Sequence, residues 1–64
     1  MANINIELER VRLQKTKEEF SEMLGITSKT YLGYIRGVSI PSKILVKLRE
    51  ITGKSIDYLL GMEE

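Results

Sequence analysis

The 64-residue chain has no cysteine, no histidine and no tryptophan, and only one proline and one phenylalanine. Without cysteine, disulfides and thiolate metal sites are excluded. With histidine missing too, a structural zinc has lost both of its usual ligand types. The same two absences remove the commonest general base and the commonest nucleophilic thiol. No apolar run approaches the roughly 20 residues that a membrane-spanning helix needs. The opening MANINIELER is polar and acidic, so no signal peptide is expected, and the expected compartment is the cytoplasm. Gly25, Gly33 and Gly37 do not fall in the frame of a phosphate-binding glycine loop. Glu18, Glu19 and Glu22 read as a solvated helix face rather than a catalytic cluster, and a chain this short has little room for a substrate cavity. The expectation is therefore a non-enzyme with no cofactor and no metal.

A further absence is local. From Met23 to Arg49 there is no acidic residue, while Lys29, Arg36, Lys43, Lys47 and Arg49 all fall in that stretch. The acids collect at Glu7 and Glu9, at Glu18, Glu19 and Glu22, and from Glu50 onward. A net charge of only +1 thus conceals a split that gives a basic face and an acidic one. The apolar fraction of 42% is ordinary for a globular domain and does not indicate disorder. The chain reads as one domain over 1–64, without repeats or linkers. At this size only roughly 60% of the unfolded surface is buried on folding, so an apolar surface that dimerises would add stability.

What is present is helical. No stretch alternates with period two, so no strand is expected. A first helix is predicted over Asn5 to Gln14, with Asn5 as N-cap, Ile4, Leu8 and Val11 sharing an inward face, and Arg10 and Arg12 pointing elsewhere. A second runs from Lys17 to Leu24. Thr16 and Glu19 have the spacing of a capping box, Phe20, Met23 and Leu24 form an apolar stripe, and Gly25 ends the helix. Thr27 or Ser28 opens a third helix that reaches Arg36, with Tyr31 and Tyr34 as its buried edge and Gly37 closing it. Pro41 suits the first turn of a fourth helix capped by Ser39, with Ile44, Leu45, Leu48 and Ile51 inward and Gly53 as its stop. Ser55 caps a last helix through Leu60, ended by Gly61, and Met62, Glu63 and Glu64 form a loose tail. Tyr58, Leu59, Leu60 and Met62 either pack on the first helix or form a dimer seam.

The run TKEEFSEMLGITSKTYLGYIRG, Thr16 to Gly37, has the layout of a helix-turn-helix: an amphipathic helix, a tight turn through Gly25 and a second short helix. Small Ser21, turn Gly25, apolar Ile26 and the core pair Tyr31 and Tyr34 resemble the Cro/C1-type helix-turn-helix family of phage and bacterial repressors. Ile40-Pro41-Ser42 and Ser55 to Gly61 resemble that family's fourth and fifth helix starts. The resemblance covers nearly the whole chain and rests on the order of the pieces, each of which is weakly specific alone. It implies an all-α bundle of five short helices and a sequence-specific regulator of double-stranded DNA. The regulator implied is a repressor acting as a homodimer on a pseudo-palindromic operator.

By the same resemblance, Ser28, Lys29, Thr30, Leu32 and Gly33 are the base-contacting candidates. Lys29 can reach guanine O6 and N7 or a phosphate, and Leu32 can offer only apolar contact, as to a thymine methyl. Lys17, Thr27, Arg36, Ser42 and Lys43 are the phosphate-contacting candidates, helped by the backbone N–H groups that open each helix. Lys47, Arg49 and Lys54 read as solvated, and Tyr31 and Tyr34 as core rather than base-stacking aromatics. Leu32-Gly33 departs from the family's polar or basic pattern. Either the operator is A·T-rich and read by methyl contact and shape, or the helix has drifted toward binding protein. An antitoxin-like subunit with a protein partner, or an interaction module that no longer reads DNA, therefore stays open. The cue for the module is Leu32 and Ile35 exposed together, with Lys17, Lys29, Arg36 and Lys43 failing to share one face.

Overall fold

A computed structural model describes residues 4–62 and contains five helices: α1 (Ile4–Arg12), α2 (Lys17–Leu24), α3 (Ser28–Ile35), α4 (Ser42–Thr52) and α5 (Ile56–Leu59). No strand occurs among the described residues. α2 packs on α3 and α4, α1 on α3 and α5, and α5 on α4. One core joins them: Ile6, Phe20, Leu24, Tyr31, Tyr34, Ile44, Leu48 and Leu59. The Phe20 and Tyr31 rings meet edge to face, centroids 5.6 Å apart at 73°, and lock α2 to α3. The radius of gyration, 10.4 Å, is that of a compact chain of this length, about 11 Å.

The local chemistry of α2 explains its bounds. Thr16 Oγ1 accepts from the Glu19 N–H at 3.0 Å, and Glu19 Oε1 accepts from the Thr16 N–H at 2.9 Å, so two otherwise orphaned donors are satisfied reciprocally. That bond also holds the Glu19 carboxyl below its ordinary pKa. At the other end Gly25 has φ 74°, a left-handed geometry that a Cβ would strain. Its N–H bonds the Glu22 carbonyl at 3.0 Å and the Ile26 N–H bonds that of Ser21 at 3.0 Å, which turns Ile26 back against the core. Ser21 is buried at the crossing, its hydroxyl donating to the Lys17 carbonyl at 2.6 Å.

Helix α1 departs from the sequence expectation. It ends at Arg12, and Gln14 lies beyond it with φ 57°, the only non-glycine residue with positive φ among those described. Asn5 is inside the helix rather than its cap, and its amide donates to the Tyr58 carbonyl at 2.7 Å. Leu8 and Val11 face solvent, 54% and 59% exposed, and the inward positions belong to Ile6, Glu9 and Leu13. Glu9 is only 3% exposed, and the reason it can be inward is its partners. Arg12 Nε donates to Glu9 Oε1 at 2.8 Å and the Tyr58 hydroxyl to Oε2 at 3.4 Å. Arg12 Nη2 also reaches the Thr52 carbonyl at 3.1 Å. Arg10 is likewise not turned away: it pairs with Glu7 and donates to the Lys15 carbonyl at 2.6 Å. The Tyr31 hydroxyl donates to Glu7 at 3.4 Å, and burial together with that carboxylate pushes its pKa up. A buried carboxylate is tolerated when it is hydrogen-bonded and ion-paired. An apolar-periodicity search passes over such a position.

Smaller corrections follow the same logic. Ser39 does not cap α4; Pro41 occupies the N-cap without a side-chain hydrogen bond, its carbonyl accepting from the Ile44 and Leu45 N–H groups at 3.0 and 3.1 Å. Met23 is exposed, so the buried stripe of α2 is Phe20, Ser21 and Leu24. α3 stops at Ile35 with Arg36 as its cap. Lys47 is half-buried, its Nζ lying 3.5 Å from the Leu24 carbonyl at the C-terminus of α2. Met62 is tied by its N–H to the Asp57 carbonyl at 2.8 Å, while Glu63 and Glu64 lie outside the described residues. The α4 stripe and the Ser55 cap stand as expected.

Candidate nucleic-acid interface

The rotation of α3 is set by its buried edge. Tyr31 and Tyr34 face the core, so the opposite line, at i, i+4 and i+7, runs through Lys29, Gly33 and Arg36. Lys29 and Arg36 are exposed, as is Thr30 to one side of that line, while Ser28 and Leu32 are half-buried on the other. Thr27 caps the helix. Its Oγ1 accepts from the Thr30 N–H at 3.2 Å and donates to the Thr30 hydroxyl at 3.0 Å. Both hydroxyls are exposed and can turn to a new partner, Thr30 as donor and Thr27 as acceptor.

Lys17 is the first residue of α2, and Ser42 and Lys43 are the first two of α4; all three are exposed. Each stands where unpaired backbone N–H groups and the helix dipole favour an anion. Glu18 and Glu19 share the first turn of α2 with Lys17, and Glu19 is folded back onto Thr16. α4 has no acid in its first turn, nor has α3.

Only Arg10 and Arg12 are ion-paired among the described residues, so Lys15, Lys47, Arg49 and Lys54 share the unpaired state of the candidate cations. Lys17, Lys29, Arg36 and Lys43 make no ion pair with any described residue, whereas Arg10 and Arg12 are paired with Glu7 and Glu9. The structure thus brings Lys29, Gly33 and Arg36 onto one line and leaves Leu32 beside it, partly withdrawn. An open cleft of about 520 Å³, lined by Arg49, Glu50, Gly53, Lys54 and Ser55, shares none of the candidate residues. Among the described residues no cluster of Asp and Glu is arranged to hold a metal ion, and no helix is long and apolar enough to cross a membrane.

One residue beside this surface escaped the sequence reading. Val38 follows the turn that closes α3, where the Gly37 N–H bonds the Tyr34 carbonyl at 3.1 Å and the Val38 N–H bonds that of Gly33 at 2.9 Å. Its side chain is 57% exposed yet would stand within van der Waals reach of a Cβ at Gly33. An apolar residue in a short loop gives no periodic signal, so only the three-dimensional contact reveals it.

Two packed helices joined by a tight glycine turn, the second with an exposed outward line, define a DNA-binding helix-turn-helix. Comparison with known families agrees: residues 6–59 match a family described as helix-turn-helix. The chain belongs to the helix-turn-helix family, of the Cro/C1 type, and is a DNA-binding regulator of that type. No curated protein and no solved structure gives a significant match.

Proposed function

We propose that this chain represses transcription, as a homodimer bound to a pseudo-palindromic operator, without enzymatic activity of its own. Ser28, Lys29, Thr30, Leu32 and Gly33 meet base edges in the major groove. Lys17, Thr27, Arg36, Ser42 and Lys43 hold the flanking phosphates. The observation that carries this reading is that Lys29 and Arg36 stand exposed and without an ion pair on the outward line of α3, with Lys17 and Lys43 in the same state at the starts of α2 and α4. Cations left unpaired by the fold are free to neutralise phosphates and release counterions. The interaction-module reading is disfavoured because Ile35 packs against the core and Leu32 is half-buried, so the two do not form a joint exposed patch.

The test is selection of bound duplexes from a random pool, followed by affinity against salt. The expected result is a two-fold-symmetric site with half-sites about 34 Å apart. Affinity should fall with salt at a log–log slope of about −0.9 per phosphate contact. A pool without enrichment, together with salt-independent binding, contradicts the proposal.

A further inference from the structure

Gly33 poses a question that the fold does not answer. Its backbone is helical, and a Cβ built on it meets nothing closer than Val38 Cγ2 at 3.5 Å, an ordinary van der Waals contact. Neither backbone strain nor crowding therefore calls for glycine, although glycine inside a helix costs about 1 kcal/mol relative to alanine. The side chain next to position 33 is that of Val38, with Cγ2 and Cβ at 3.5 and 3.8 Å from that Cβ position. A residue of the next loop lies alongside the turn of α3 that lacks a side chain.

We infer that Val38 is a further base-reading residue, and that its isopropyl group contacts the 5-methyl group of a thymine in the operator. This rests on the DNA-binding reading above and deepens it. Three observations support it. Val38 is more than half exposed, so the core does not explain an apolar side chain there. Its side chain lies beside the Cβ position of Gly33, the residue that shares the outward line of α3 with Lys29 and Arg36. It lies in the chain between Arg36 and Ser42-Lys43, the proposed phosphate contacts on either side. In the major groove the thymine methyl is the one apolar group on a base edge. An exposed valine beside the outward line matches that chemistry and no hydrogen-bonding edge.

The experiment uses the full chain and the duplex enriched from the random pool, with each thymine of a half-site replaced in turn by deoxyuridine, which removes only the methyl. For wild type, one replacement near the α3 C-terminus should weaken binding roughly fourfold, the value of one buried methyl or methylene. Val38→Ala should bind the thymine duplex correspondingly more weakly and lose that sensitivity to deoxyuridine. Val11→Ala, an equally exposed valine on α1, should keep it. Melting curves of both variants should match wild type. If Val38→Ala weakens binding equally on thymine and deoxyuridine duplexes, or not at all, the inference is wrong. If wild type binds no duplex, the functional reading falls first and this inference with it.

Discussion

Helix α1 and helix α3, with its cap, each carry two basic residues and commit them differently. On α1, Arg10 follows Glu7 and Arg12 follows Glu9, each three residues on, and both guanidiniums are consumed in pairs that also reach the Lys15 and Thr52 carbonyls. On α3, Lys29 and Arg36 have no acid on their own helix and no ion pair with the rest of the described chain. The residue types are similar, but one set fastens the fold and the other is left for a partner. Between these two helices, the difference is a carboxylate one helical turn away on α1 and none on α3, not net charge.

The largest expected effect lies on the α1 side. Glu9→Ala removes the acceptor of Arg12 and of the Tyr58 hydroxyl together, and should cost about 2–3 kcal/mol in a denaturant titration. That is below the full value for a buried pair, because the Arg12 side chain is half exposed. The DNA affinity of the folded variant should be unchanged; a variant as stable as wild type would show that the pair does not fasten α1. On the other side, Arg36→Ala and Lys43→Ala should each lower the salt slope by about 0.9 per subunit, about two for the dimer, and weaken all duplexes alike, with stability altered by less than about 0.5 kcal/mol. Unchanged slopes would erase the distinction between the two regions.

Gln14→Gly sharpens the comparison at the α1 C-terminus. Gln14 caps that helix in a left-handed conformation that glycine adopts without a Cβ clash, so the change should raise stability by about 1 kcal/mol, read by thermal melting. The smallest effect is electrostatic. Glu19 has its pKa lowered below the ordinary 4.5 by the Thr16 N–H, so the folded state favours the ionised form. That stabilisation is present above the unfolded value and is lost as pH falls through the folded one. Below pH 4.5 wild type should lose slightly more stability than Glu19→Gln; parallel pH profiles would mean that the capping box carries no charge dependence.

The helix-turn-helix was legible because its signals are local. Thr16 and Glu19 at capping-box spacing, Gly25 at a left-handed turn and the Tyr31–Tyr34 edge each depend on neighbours a few residues away. α1 was misread because its inward face is built by distant partners. Glu9 is buried only because Arg12, Tyr58 and, through Arg12, Thr52 converge on it from α1, α5 and α4, and the apolar Leu8 and Val11 that periodicity turned inward are left outside. Val38 was missed for a related reason, since its place is defined by a contact with Gly33 and not by a pattern in its own segment. Residue types at the candidate interface could be read from the chain, but which cations remain unpaired could not.

The most direct test of the central claim is a map of backbone amide shifts as the operator duplex is added to isotope-labelled protein. The account predicts large changes at Lys17, at Thr27 to Gly33, at Arg36 and Val38, and at Ser42 and Lys43, with the amides of Glu7 to Arg12 nearly still. Changes centred on α1, or spread evenly over the chain, would contradict it.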